Sequence, residues 1–168
     1  MFDVDLLGSG HLAHTSSTLT LTSRAGHAPY NASKSALLSL CASLQQELRE
    51  AKIPVDVSVI LPGAIRSQMH NSVRHRQERY GVAHVDKDVL ERDGAYLEQF
   101  GADPDVLAAI IVRQLDARRF FVFGRPEDVS YAEERVNDLR AGVLSVPSFR
   151  RVPGPGSLAS QKIESETR

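Results

Sequence analysis

Seven residues, Val55 to Leu61 (Val-Asp-Val-Ser-Val-Ile-Leu), narrow the fold more than any other stretch. They are nearly all apolar and rich in β-branched side chains. A strand of that kind belongs where both faces are covered, in a parallel sheet flanked by helices, since one wet face would demand alternation. Pro62-Gly63 ends it. Ahead of it, Leu37, Leu40, Cys41, Leu44 and Leu48 recur at helical spacing and predict a helix from Asn31 to about Ala51, closed by Pro54.

The rest of the chain continues the alternation. Thr18 to Ser23 (Thr-Leu-Thr-Leu-Thr-Ser) is β-branched and alternating and reads as a strand, joined to the long helix by the connection Arg24 to Pro29. Asp103-Pro104 opens a second helix with Val106, Leu107, Ile110, Ile111 and Leu115 as its apolar face. Arg119 to Phe123 reads as a third strand, ended by Gly124, and Pro126 to Ala141 as an amphipathic helix. Strand and helix in alternation give an α/β fold with a parallel sheet of about three strands. Gln68 to Gly101 is charged and weakly patterned, which suggests short helices and loop. From Val143 to the end, Pro, Gly, Ser and charge predict a disordered tail, so one domain is expected over 1–142 and a tail over 143–168.

Met1 to His14 supports two readings. Phe2 to Leu7 alternates like a strand, and Gly8-Ser9-Gly10-His11-Leu12-Ala13 then fits the G-x-G-x-x-A turn of dinucleotide-binding folds. That turn wants a carboxylate about 20 residues on, yet after Asp5 the next is Glu47. The rival is a short helix whose Phe2, Leu6, Leu7 and Leu12 face a core.

Charge excludes several functions. Twenty Lys and Arg stand against 21 Asp and Glu, so no broad positive field invites nucleic acid or an anionic membrane. No apolar run approaches a membrane span, and no leader pattern opens the chain, so a cytoplasmic location is expected. The single cysteine, Cys41, reads as a buried small hydrophobe. His70, His75 and His84 form no metal-ligand spacing with cysteine or carboxylate, and no metal site is assigned.

Chemistry concentrates in Ala28-Pro29-Tyr30-Asn31-Ala32-Ser33-Lys34. Residues four apart at the start of a helix share a face. An ammonium held near a phenol favours the phenolate, and a phenol so tuned serves as acid or base toward a hydroxyl or carbonyl. Tyr and Lys at this spacing are also common surface neighbours. Placement tips the balance: ligands of parallel α/β folds gather at the carboxyl ends of strands, where Ser23, Tyr30 and Pro62 to Ser67 all converge.

With those residues placed, the chain resembles the short-chain dehydrogenase/reductase family. Tyr30-Asn31-Ala32-Ser33-Lys34 matches its Y-x-A-S-K motif, Thr22-Ser23 followed by Ala25-Gly26 looks like its strand-plus-serine segment, and Pro62-Gly63-Ala64-Ile65-Arg66-Ser67 matches P-G-x-(V/I)-x-T with Ser for Thr. Phe2 to Gly8 resembles V-N-x-x-G, with Asp5 where asparagine usually stands. The resemblance implies a partial Rossmann-like sheet and hydride transfer between NAD or NADP and a small alcohol or carbonyl substrate. It implies Ser23, Tyr30 and Lys34 as catalytic residues. Tyr30, Lys34, Pro62, Gly63, Ile65 and Ser67 would bind cofactor, and 68–101 would face substrate.

Three departures accompany the match. The family's T-G-x-x-x-G-x-G turn, which seats the pyrophosphate, is not in this sequence. Ser23 precedes Tyr30 by seven residues where about a dozen is usual; counting alone selects Ser17, but Ser17 lies before the expected strand, whose outer edge should be unpaired. Asp5 cannot donate as an amide would. The alternative reading is therefore an inactive short-chain dehydrogenase fragment, working as an interaction module or forming a homo-oligomer through the Asn31–Ala51 helix.

Overall fold

A computed structural model of the chain describes residues 2–4, 9–77, 79, 81 and 86–145. They form two compact units, one of Met1–Gly63 with Ala102–Pro147 and the other of Ala64–Gly101.

The first unit is built on a four-stranded sheet in the order β1 (Phe2–Val4), β2 (Gly10–Thr15), β3 (Val55–Leu61), β4 (Phe121–Phe123). β2, β3 and β4 run parallel, and β1 pairs antiparallel with β2. The apolar run Val55–Leu61 is the central strand, as its composition demands. Val57, Val59 and Leu61 are fully buried and pack with Cys41 of the long helix α1 (Ala28–Glu50) and with Leu12, Leu37, Leu44, Leu48 and Phe123. Each such side chain contributes about 1.5–3 kcal/mol on burial, which makes this seam the main anchor of the unit. The second unit holds a 3-10 segment, Met69–His75, and a regular helix, α2 (Lys87–Phe100), where short helices and loop were expected. The first unit is completed by α3 (Pro104–Asp116) and by α4 (Ser130–Ala141), the latter entered through a 3-10 turn, Pro126–Val129.

Several expectations are corrected. The strand before α1 is Gly10–Thr15, and Thr18–Thr20 is a 3-10 turn. Local hydrogen bonding explains the change: Ser17 Oγ accepts the Leu19 N–H at 3.1 Å, and Thr20 Oγ1 donates to the Ser17 carbonyl at 2.8 Å. Ser and Thr side chains that bond nearby backbone compete with a ladder, and here they win. The connection to α1 is thus longer than Arg24 to Pro29. Gly10 opens a strand, so no helix begins there, and Phe2–Val4 is strand as well, which removes the short-helix alternative for Phe2 and Leu12. Asp5 to Gly8, with the Asp5 position and the first glycine of the candidate turn, lie outside the described residues, as does the tail from 146 onward. The outer edge of the strand preceding α1 is not bare, because β1 pairs with it.

Two α1 positions also differ. Leu40 is 63% exposed, whereas Gln45 is buried and accepts the Val57 N–H on its Oε1 at 2.7 Å. Helical spacing fixes a stripe, but its inward flank is decided by what the neighbouring strand offers. Here a polar side chain satisfies a buried peptide N–H.

Candidate active site

The carboxyl end of β2 is where the motif residues meet. Pro29 stands at the first turn of α1, where a missing N–H costs nothing, and Tyr30 and Lys34 follow on one face. Lys34 Nζ donates to the carbonyl of Thr15, the last residue of β2, at 3.0 Å, and lies 5.8 Å from the centroid of the Tyr30 ring. Buried Ser16 ties the same strand end to the helix, its hydroxyl donating to the Lys34 carbonyl at 3.0 Å. Strand end and helix start are therefore stitched together from both sides of the lysine.

Ser17 follows directly and is buried. Its hydroxyl oxygen accepts from the Leu19 N–H, which leaves its own hydrogen to donate elsewhere. Ser23, chosen from sequence because it ended the expected strand, lies in the loop between the 3-10 turn and α1. The strand-end criterion now falls on Ser17, thirteen residues before Tyr30. In the sequence, counting alone selects this same residue, whereas the expected strand selects Ser23.

Pro62 and Gly63 join this cluster from the end of β3. The Pro62 carbonyl accepts the Thr18 N–H at 3.3 Å, with Thr18 Oγ1 at 3.5 Å. Gly63 abuts a buried ion pair that sequence reading missed: Arg125 Nη2 to Asp128 Oδ1 at 3.0 Å and Arg125 Nε to Asp128 Oδ2 at 3.3 Å. A Cβ on Gly63 would run into the Arg125 guanidinium and Asp128 Oδ2. Burial pushes the Asp128 carboxyl above its ordinary value, and the Arg125 charge opposes that rise. A hint of the pair lay in an acid three residues after a base around Pro126.

Ile65 and Ser67 belong to the second unit. Ser67 is exposed, and its Oγ accepts the Met69 N–H at 3.4 Å. Within that unit Gly101, at the end of α2, abuts Ile65 and Arg66 so closely that a Cβ would meet the Arg66 nitrogen and the Leu97 carbonyl. Among the described residues no helix is long and apolar enough to cross a membrane.

The geometry can be set beside known proteins. A sequence model described as short chain dehydrogenase matches residues 5–78. A CLA biosynthesis dehydrogenase/reductase of Lactiplantibacillus plantarum is 26% identical over 134 residues, 74% of this chain and 46% of the relative. A C alpha-dehydrogenase of Sphingobium sp. is 28% identical over 119 residues, covering 70% and 38%. The chain thus spans about half the length, or less, of the relatives it matches. Among solved structures, a short-chain dehydrogenase/reductase of Burkholderia phymatum in complex with NAD aligns with a TM-score of 0.74 at 20% identity, over 84% of this chain and 52% of that one. A short-chain dehydrogenase of Streptomyces avermitilis aligns at 0.56 and 24% identity, over 81% and 50%. With the Y-x-A-S-K and P-G-x-I motifs in their expected order on this α/β sheet, the chain is similar to short-chain dehydrogenases in sequence over residues 5–78 and shares their fold.

Proposed function

We propose that the chain carries the catalytic part of an NAD(P)-dependent oxidoreductase acting on an alcohol or carbonyl of a small cytoplasmic substrate. One observation carries the reading: Lys34 is held on the Thr15 carbonyl with its ammonium beside the Tyr30 ring, at the carboxyl end of a parallel strand.

The residues present fit the nicotinamide-ribose end of a dinucleotide. Lys34 Nζ has three hydrogens and spends one on Thr15, which leaves donors for ribose hydroxyls. The nicotinamide, when bound, supplies hydride chemistry. The chain's own part is proton movement and charge stabilisation: Tyr30 gives or takes the proton at its phenol oxygen, the Lys34 ammonium stands beside its ring, and Ser17 donates to the reacting oxygen. The resemblance implies Pro62, Gly63, Ile65 and Ser67 as further cofactor contacts. Ser17 takes the place that sequence reading gave to Ser23.

The test is a fluorescence titration of the 168-residue chain with NADH and NADPH, followed by turnover of a panel of secondary alcohols and ketones. Saturable binding and turnover are expected. Tyr30→Phe should lower turnover by about 10²-fold or more without unfolding the protein. Ser17→Ala should cost about 10²-fold where Ser23→Ala costs little; the reverse order would return the role to Ser23.

A second reading is favoured by exposed apolar side chains on two helices, Leu40 on α1 and Val136 and Leu139 on α4. In it the chain works as a non-enzymatic interaction module, self-associating through α1. A folded chain that sediments as an oligomer and binds neither cofactor would support this reading over the first.

A further inference from the structure

Gly63 sits at the carboxyl end of β3, and Arg125 and Asp128 follow the carboxyl end of β4. Arg125 is 9% exposed and Asp128 2%. Two bonds join them, through Nε and Nη2. The third guanidinium nitrogen, Nη1, is buried with no acceptor. Taking both charges out of water is costly, and an ion pair in such a place is weak support for stability by itself. A buried and half-satisfied pair pressed on a glycine calls for another explanation.

The contact supplies one. The groups that a Gly63 Cβ would strike are the end of the Arg125 guanidinium and Asp128 Oδ2. The guanidinium is planar and is gripped by two bonds to one carboxylate, a fork that fixes its orientation. It therefore presents a stiff surface against which the Pro62–Gly63 backbone lies. The Pro62 carbonyl is held by Thr18, the residue after Ser17. The turn thus touches both the serine segment and the ion pair.

We propose that the Arg125–Asp128 pair is a positioning device that sets the Pro62–Gly63 turn, and through it the cofactor-facing backbone. The second half of this inference rests on the reading given under Proposed function. Neither residue touches the reacting atoms, so both act through Gly63.

A double-mutant cycle tests it on the full chain. Gly63→Ala is made alone and in an Arg125→Met/Asp128→Ala background, which removes both charges and the atoms that the new methyl would strike. Alone, Gly63→Ala should lower the folding equilibrium constant by about tenfold or more. In the background lacking the pair, the same change should cost less than about threefold. Equal costs in both backgrounds would overturn the proposal. Should the triple variant fail to fold, hydrogen exchange in Arg125→Met reads the same device. Amides of Gly63 and Ala64 should exchange about tenfold faster while those of Leu37 to Leu48 in α1 stay unchanged, and a uniform change would overturn it.

Cofactor affinity supplies the functional arm. Arg125→Met should raise the NADH dissociation constant about tenfold, and Arg125→Lys, which keeps one charged bond to Asp128, should recover most of it at matched thermal stability. Equal affinities in the Met and Lys variants would overturn the cofactor-facing half. A wild-type chain that binds no cofactor would overturn that half together with the oxidoreductase reading, while the cycle still decides whether the pair sets the turn.

Discussion

The two units hold their helices in different ways. In the first, α1 lies on β3 through fully buried Cys41, Val57, Val59 and Leu61. In the second, α2 buries no residue completely: the Asp86 carboxylate accepts the Asp88 N–H at 2.9 Å at its start, Gly94 lies against the His70 ring midway, Tyr96 and Phe100 of the helix meet at a tilt with ring centroids 5.3 Å apart, and Gly101 fits against Ile65 and Arg66 at its end. The two units thus have different mechanical bases. Tyr30, Lys34 and Ser17 stand on the well-buried scaffold, whereas no described residue of 68–101 is fully buried.

The largest test of this contrast is a pair of truncations. Leu61→Ala should cost about 2–5 kcal/mol in chemical denaturation because it empties a fully buried site. Leu97→Ala, on half-buried α2, should cost less than about 1 kcal/mol; equal costs would erase the distinction. Gly101→Ala comes next. Its methyl would collide with backbone rather than with a yielding side chain, so a loss of about 1–3 kcal/mol is expected. Faster hydrogen exchange should be confined to 64–101, and spread into β3 would contradict the division into units.

A smaller effect, of opposite sign, sharpens the view of the first unit. Lys52 ends α1 with φ of 54°, a left-handed conformation that costs a side-chain-bearing residue about 1–2 kcal/mol. The Ile53 N–H bonds the Leu48 carbonyl at 2.9 Å across it, the closure that glycine most often provides. Lys52→Gly should gain up to about 1 kcal/mol in thermal unfolding, less the entropy that glycine releases in the unfolded chain.

The smallest effect is a pH slope. Burial pushes the Cys41 thiol up, so above the ordinary thiol range of about 8.5 the folded protein retains a proton that the unfolded chain has lost. Stability must then fall as pH rises. Wild type should lose stability above about pH 8.5 more steeply than Cys41→Ala, and native Cys41 should resist iodoacetamide until the protein unfolds. Rapid labelling at neutral pH would show that the α1–β3 seam opens.

Much of this is legible in the amino-acid sequence. Val55–Leu61 could only be a strand with two covered faces, and the leucine spacing of α1 left its helix in little doubt. Thr18 to Ser23 misled because an alternating Thr/Leu string satisfies a strand pattern as well as a turn. Which one forms depends on whether Ser17 and Thr20 bond their own backbone or a neighbouring strand, and periodicity carries no record of that. Gly10–Thr15 reads in the sequence as part of a glycine turn or a short helix, since Gly and Ala are depleted in strands; pairing with β1 and β3 on both sides makes it a strand. The misplaced strand also decides which serine stands at a strand end, Ser23 in the expected strand and Ser17 in the observed one. The Arg125–Asp128 pair was hidden for another reason: charged residues in sequence look like surface, and only the approach of Gly63 from a strand more than 60 positions away shows otherwise.

Gln114 of α3 gives the molecule a further property. Its Nε2 donates to the Phe123 carbonyl at 2.7 Å, and its Oε1 accepts the Phe123 N–H at 3.2 Å. A side-chain amide offers the same donor and acceptor as a peptide bond, so β4 meets at Phe123 a counterfeit of the next strand, one residue long. A sheet is in effect a polymer that grows sideways, each strand a template for another. Gln114 is its chain terminator. An incoming strand would have to evict two good hydrogen bonds at that position before it could add, so the fold carries at its β4 edge a built-in brake on fibrillar growth.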